Sequence, residues 1–376
     1  MEQSLGDKHH RAINSLNKKA SIYFKARQLA KAKTDYQKSL AIQFSIGAAI
    51  TSETAIALTG LAQCYQKEKN FARSDSVYQL VLSHYQSGRL NRDDQFVSTL
   101  VNYASTLQDQ GKWREAISLV SQASDQVKKS KGSGSENFAL LMSDLSMLNL
   151  KMGFRERAKQ ELDSAELYYD SGKKKSTEPY GLLLLNKGRY FQVIGDYQQA
   201  EQNLRKGAEL LEKVSGDASE LYAYGINSLA LYYQTMGNFG EAEPLLKKAL
   251  AIRETTNGKV NSEYATVLQN LAALYQLQEN YAKAEPLLQE ANKIDQEILG
   301  TNHPQYLVSL QNLATLYQKK KELDKAAFMM ETVRSLTEKT LGKSHPSYAT
   351  VISNLASLYQ DQGKYAQAES FWQESV

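Results

Sequence analysis

The phrase "LQNLAALYQ" (Leu268–Gln276) returns as "LQNLATLYQ" (Leu310–Gln318) and as "ISNLASLYQ" (Ile352–Gln360), each time 42 residues after the last. A strict internal period constrains a chain more than its length does, because every period must then be the same structural unit. Stepping by 42 from Tyr264 reaches Tyr306 and Tyr348 forwards, and Tyr222, Tyr180, Phe138, Phe96, Thr54 and Ala12 backwards. The register runs through eight full units without insertion, and a ninth begins at Tyr348. With those residues as position 1, position 5 is apolar in every unit, from Leu16 and Leu58 to Leu310 and Ile352. Position 9 is small throughout (Ala20, Ala62, Ala104, Ser146, Gly188, Ala230, Ala272, Ala314, Ala356). Position 12 is mostly aromatic, as in Tyr65, Phe191, Tyr233, Tyr275, Tyr317 and Tyr359. Positions 5, 8, 9 and 12 have the spacing of one helix face. Positions 18, 21, 25 and 28 give a second face, with Ala or Ser at 21. Gly111, Gly153, Gly195, Gly237 and Gly363 at position 16 mark a break between the two, where a helix end takes a left-handed residue.

Each unit therefore reads as a helix, a tight turn, a helix and a loop. One hairpin cannot bury both of its faces, so the units must stack. The expected fold is all-α, an α-solenoid of stacked helix-turn-helix repeats. Residues 1–376 are expected to form a single array, with repeats starting near 12, 54, 96, 138, 180, 222, 264, 306 and 348 and the ninth truncated.

Composition supports helix and narrows the function. There are only five prolines in 376 residues, while helix-favouring Ala, Leu, Gln, Lys and Glu are plentiful. The net charge of +4 is small for this length, so no nucleic-acid partner is expected. No apolar run approaches the roughly 18 residues that cross a bilayer, and no membrane partner is expected. The N-terminal "MEQSLGDKHH" lacks the apolar core of a signal peptide. That points to the cytoplasm, although a chain with its leader removed would look identical. The single cysteine, Cys64, excludes an internal disulfide and any cysteine metal cluster.

The spacing Leu-Ala-x-x-Tyr followed by Ala-x-x-x-Leu resembles the tetratricopeptide repeat, whose pattern has Leu-Gly-x-x-Tyr and Ala-x-x-x-Phe. That family usually repeats every 34 residues or about that, so the longer period implies longer helices or a longer connection. The stretch "YATVLQNLAALYQLQENYAKAEPLL" (Tyr264–Leu288) is more similar to the 42-residue repeat of kinesin light chains. So are the loops "LGTNHP" (Leu299–Pro304) and "LGKSHP" (Leu341–Pro346). The likeness is specific from about Tyr222 onward and looser in the first two units and the fourth, where Asn149 and Arg155 replace the aromatics of positions 12 and 18. The resemblance implies a right-handed solenoid whose first helices line the inner, concave wall.

Polar identity recurs as well, which core packing does not require. Position 7 carries Asn102, Asn186, Asn270, Asn312 and Asn354; position 13 carries Gln66, Gln108, Gln192, Gln234, Gln276, Gln318 and Gln360. Positions 6, 10 and 13 lie along one strip of the first helix, with 7 at its border, beside the apolar stripe. The resemblance places this strip in the groove. An amide offers donors and an acceptor, which suits an extended peptide backbone whatever its side chains. The competing reading is that these amides only bond the neighbouring repeat, or were copied with it. The expected ligand-binding residues for a protein or peptide partner are Asn186, Asn270, Asn312, Asn354, Gln234, Gln276, Gln318 and Gln360.

Catalytic chemistry finds no support. His9 and His10 are terminal; His303 and His345 sit in the repeated His-Pro loop, where a loop or capping role outweighs metal binding because no second ligand recurs at coordinating spacing. Cys64 reads as a small core residue. "GKS" (Gly342–Ser344) lacks the first glycine and the preceding strand of a phosphate loop, and "KGSGSE" (Lys131–Glu136) lacks a nucleophile-elbow context. Lys173, Lys174 and Lys175 read as a solvated run, and Glu201, Glu243, Glu285 and Glu369 at position 22 as surface charges. No enzyme activity, metal or cofactor is expected.

The ninth unit stops at Val376 inside its second helix, which leaves Phe371 and Trp372 in an unfinished hairpin. A solenoid normally closes with a polar cap, so the expectation is that the chain is a fragment or that another domain or subunit covers that end. Three functions follow. The first is a non-catalytic scaffold that binds a peptide or protein segment in its groove. The second is the sensor arm of an effector whose caspase-like (CHAT) protease or NTPase domain is linked beyond Val376 or separate. The third is self-assembly through open ends.

Overall fold

A computed structural model describes residues 2–45, 50–68, 70–170, 173–301, 303–343 and 345–374, and it contains eighteen α-helices and no strand among them. Ser344 of the "GKS" stretch, Asn302 of the first His-Pro loop, the Lys173 side chain and Val376 lie outside the described residues. The chain forms two compact units, residues 1–168 and 169–376.

The first unit holds α1 (Glu2–Lys25), α2 (Leu29–Ser45), α3 (Ser52–Lys67), α4 (Phe71–Gln86), α5 (Asp94–Asp109), α6 (Trp113–Lys131) and α7 (Glu136–Lys151). α8 (Arg155–Asp170) runs across the division in sequence. After the end of α8 the second unit has a 3₁₀ turn, Lys173–Lys175, where Lys175 pairs with Asp170. There follow α9 (Glu178–Ile194), α10 (Tyr197–Ser215), α11 (Glu220–Thr235), α12 (Phe239–Asn257), α13 (Ser262–Leu277) and α14 (Tyr281–Leu299). α15 (Pro304–Lys319), α16 (Leu323–Leu341), α17 (Pro346–Asp361) and α18 (Tyr365–Glu374) complete it. Helices pair as hairpins in the order the period dictates. The second helices α10, α12, α14 and α16 reach 19 residues against 16 in α11, α13, α15 and α17, so length is taken up in the second helix.

The small residues at positions 9 and 21 are buried, as at Ala230, Ala272, Ala242 and Ala284, and let paired helices approach closely. Between α9 and α10 the approach is tighter still: a Cβ added to Gly188 would meet Leu204 Cγ at 2.5 Å. The position-16 break takes the expected left-handed conformation, with φ of 86° at Gly195 and 75° at Gly237. The following amide then closes a Schellman-type bond, Asn238 N–H to the Tyr233 carbonyl at 2.8 Å. The same turn is forced on non-glycine residues at Glu279 (φ 57°) and Lys321 (φ 64°). Glu279→Gly and Lys321→Gly are each expected to stabilise the chain by about 0.5–1 kcal/mol, since a Cβ is penalised there. Urea melts of the two variants check this; unchanged or lowered midpoints would count against it.

A second recurring glycine, absent from the pattern described above, caps the long second helices. Gly216 and Gly258, for instance, hold φ of 90° and 72° with ψ of 158° and 176°, a region essentially reserved for glycine. The next helix is then capped by a side chain. His303 Nδ1 accepts from the Gln305 N–H (3.0 Å) and His345 Nδ1 from the Ser347 N–H (3.1 Å), with Pro304 and Pro346 opening α15 and α17. The histidines thus cap helices. In the first unit Asn149, which replaces an aromatic, is buried and donates to both Glu161 carboxylate oxygens at 2.7 and 2.9 Å. Burial pushes the Cys64 thiol up to about 12, so it stays protonated and unreactive.

Candidate peptide-binding groove

The second unit is stitched between hairpins by a repeated polar contact. The position-12 tyrosine of one hairpin donates its hydroxyl to the position-22 glutamate of the hairpin before it. Tyr233 donates to Glu201 at 2.8 Å, Tyr275 to Glu243 at 2.8 Å and Tyr317 to Glu285 at 2.9 Å. Hydrogen bonds from Lys247 and Tyr275 hold the Glu243 carboxyl below the usual range. These glutamates are therefore more than solvated charges: they are acceptors that register one repeat on the next.

With that register set, first helices α11, α13 and α15 follow one another and line a hollow of about 460 Å³. Gln234 comes from α11; Gln269, Asn270, Ala273, Gln276 and Leu277 from α13; Val308, Asn312, Thr315 and Lys319 from α15. Leu288 of α14 completes the lining. The hollow thus gathers four of the eight amides singled out above: Gln234, Asn270, Gln276 and Asn312. Asn186 and Asn354, half-buried on α9 and α17, are not among its lining. Gln318 is tied to the next repeat, donating to Asp361 Oδ2 at 2.8 Å, as Gln66 does to Asp109 (3.0 Å) in the first unit. Gln360 lines a separate hollow beside Tyr365 and Trp372.

The two asparagines in the hollow also bond between repeats. Asn270 Nδ2 donates to Asn227 Oδ1 at 2.9 Å, and Asn312 Nδ2 donates to Gln269 Oε1 at 3.1 Å. Gln234 Oε1 is buried with no hydrogen-bond partner among the described residues. Behind the lining, Gln269 Nε2 donates to Oδ2 of Asp295 on α14 at 3.1 Å. Asp295 is fully buried, and burial pushes its carboxyl up to about 6 against the pull of its hydrogen bonds.

Sequence periodicity does not reveal Leu277, Val308 and Lys319. Their positions change residue from repeat to repeat (Val193, Thr235, Leu277, Lys319 and Asp361 at position 14), so only their nearness to the amide strip on the helix signals them. Leu277 is 51% exposed and Val308 47%, which sets apolar surface beside the amides of the hollow. Among the described residues Lys319 is the one charged group in the lining. The equipment is amides, a hydroxyl, an ammonium and apolar surface, groups suited to contact and hydrogen bonding. Among the described residues no group of His, Cys, Asp and Glu is placed to hold a metal ion, and no helix is long and apolar enough to cross a membrane.

None of the curated protein sequences matches the chain. Among solved structures, a Rap protein complexed with Competence and Sporulation Factor is similar over 96% of each chain, with 12% identity and a TM-score of 0.60. A signal-transduction ATPase with numerous domains and a tetratricopeptide repeat sensor, from Pyrococcus horikoshii, is 15% identical; the match covers 91% of this chain and 52% of that one, with a TM-score of 0.52. A Podosopora anserina protein of nearly identical kinesin-light-chain tetratricopeptide-like repeats shares 25% identity over 51% of this chain and 91% of that one, with a TM-score of 0.46. The family pattern of the tetratricopeptide repeat matches residues 13–45, 181–255, 263–339 and 349–376, more than half of the chain. Hairpins on a fixed period, small residues where their helices meet and that pattern in both compact units lead to one conclusion: the chain belongs to the tetratricopeptide repeat family.

Proposed function

We propose that this protein is a non-catalytic interaction scaffold whose second unit holds an extended protein or peptide segment along α11, α13 and α15. The observation that carries this reading is the pairing of half-exposed Leu277 and Val308 with the amides of Gln234, Asn270, Gln276 and Asn312 in one hollow. Amides hold a backbone, while apolar groups select side chains. Among the described residues no carboxylate lines the hollow, so the segment meets polar and apolar groups and one cation, Lys319.

Linear peptides selected from a random library against the full chain test the reading. Leu277→Asp and Val308→Asp change exposed residues and leave the core untouched. Each is expected to weaken a selected peptide about 10–100-fold, the effect of losing roughly 1.5–3 kcal/mol of apolar contact. Gln276→Ala should weaken it by about 2–10-fold, the scale of a single amide bond. Binding that survives all three changes would place the ligand elsewhere on the molecule.

A further inference from the structure

Asp295 is 0% exposed, where the second helices α6 and α10 carry Val127 and Leu211 at the same place in the repeat. A buried carboxyl costs stability that a hydrocarbon would not. Its Oδ2 accepts from Gln269 Nε2 at 3.1 Å, and the Ser309 hydroxyl also lies against the carboxyl. Gln269 stands between Asp295 and the groove, and it has two unlike ends. With its NH₂ end held by an acceptor, only its carbonyl can face Asn312. Asn312 must answer with its own NH₂, at 3.1 Å, and its carbonyl oxygen remains as the end with no part in this chain of bonds.

We infer that Asp295 is a positioning residue which, through Gln269, sets the hydrogen-bonding sense of Asn312, so that this part of the groove takes a donor: a backbone N–H of the bound segment. The inference rests on the groove reading above. The device belongs to one repeat. Behind the analogous Asn270–Asn227 pair the matching residue is Arg253, and in the next repeat it is Thr337, neither a carboxylate.

The test uses a peptide selected against the full chain, with each backbone N–H replaced in turn by N-methyl. Wild-type protein is expected to show one position where methylation weakens binding about tenfold, the scale of one buried hydrogen bond. Asn312→Ala should abolish that penalty. Asp295→Leu should abolish it too and weaken the parent peptide several-fold. Asp295→Asn keeps a carbonyl for Gln269 and should restore both, which a merely structural role would not do. Gln269→Met cuts the relay without altering Asp295 and serves if the leucine variant does not fold. A methylation penalty that depends on Asn312 yet persists in Asp295→Leu and Gln269→Met overturns the inference and leaves the groove reading standing. Binding indifferent to Leu277, Val308 and Asn312 alike overturns both.

Discussion

Replacing Tyr317 by Ala is expected to destabilise the chain by about 3–5 kcal/mol, the cost of deleting a large buried aromatic. Tyr317 is 1% exposed at the junction between the hairpins α13–α14 and α15–α16. Its hydroxyl donates to Glu285 at 2.9 Å and accepts from Gln289 at 3.1 Å, and Lys325 lies 3.5 Å above the ring centre. Tyr317→Phe keeps the ring and loses the hydroxyl, so it should cost only about 1–2 kcal/mol, the range of a bond to a partly exposed charged acceptor. Because each repeat touches only its neighbours, the damage should stay local. Hydrogen exchange should quicken in α13 to α16 and change little in α9 and α10. Equal losses from Ala and Phe would show that the hydroxyl, rather than the packed ring, joins these repeats.

The second large effect concerns Asp295 and depends on pH. Its carboxyl titrates at about 6 in the folded chain against an ordinary value of 3.8. Between those values the folded chain binds more protons than the unfolded one, so stability falls as pH rises through the window and stays lower above it. Asp295→Asn cannot ionise and retains the carbonyl that Gln269 requires. It is expected to stabilise the chain by about 1–3 kcal/mol at pH 8, since a tenfold difference in proton affinity between the folded and unfolded chain corresponds to about 1.4 kcal/mol. The advantage should shrink towards zero by pH 4. Thermal melts of both proteins across that range measure it, and an advantage independent of pH would trace to packing instead of ionisation.

Much of this molecule is legible in its sequence. Ala230 and Ala272, Leu268 and Leu310, and the glycines from Gly111 to Gly363 sit where a 42-residue clock puts them, because helix faces and turns depend on neighbours a few residues away. The amide strip is legible for the same reason, since positions 7 and 13 lie on one side of one helix. A second glycine series, from Gly132 to Gly342, is equally periodic and marks where the second helices end. What only the tertiary structure decided are the contacts made across hairpins. Tyr275 and Glu243 stand 32 residues apart, and Asn312 and Gln269 43. No helical period relates such pairs; stacking one repeat on the next brings them together. Stacking also separates amides that look identical in sequence, joining Gln318 to Asp361 while leaving Gln276 in the hollow, where Lys319 stands in place of the aspartate. Local periodicity therefore determined the hairpin and its faces, and the packing of one hairpin on another decided which of its repeated groups remain available to a ligand.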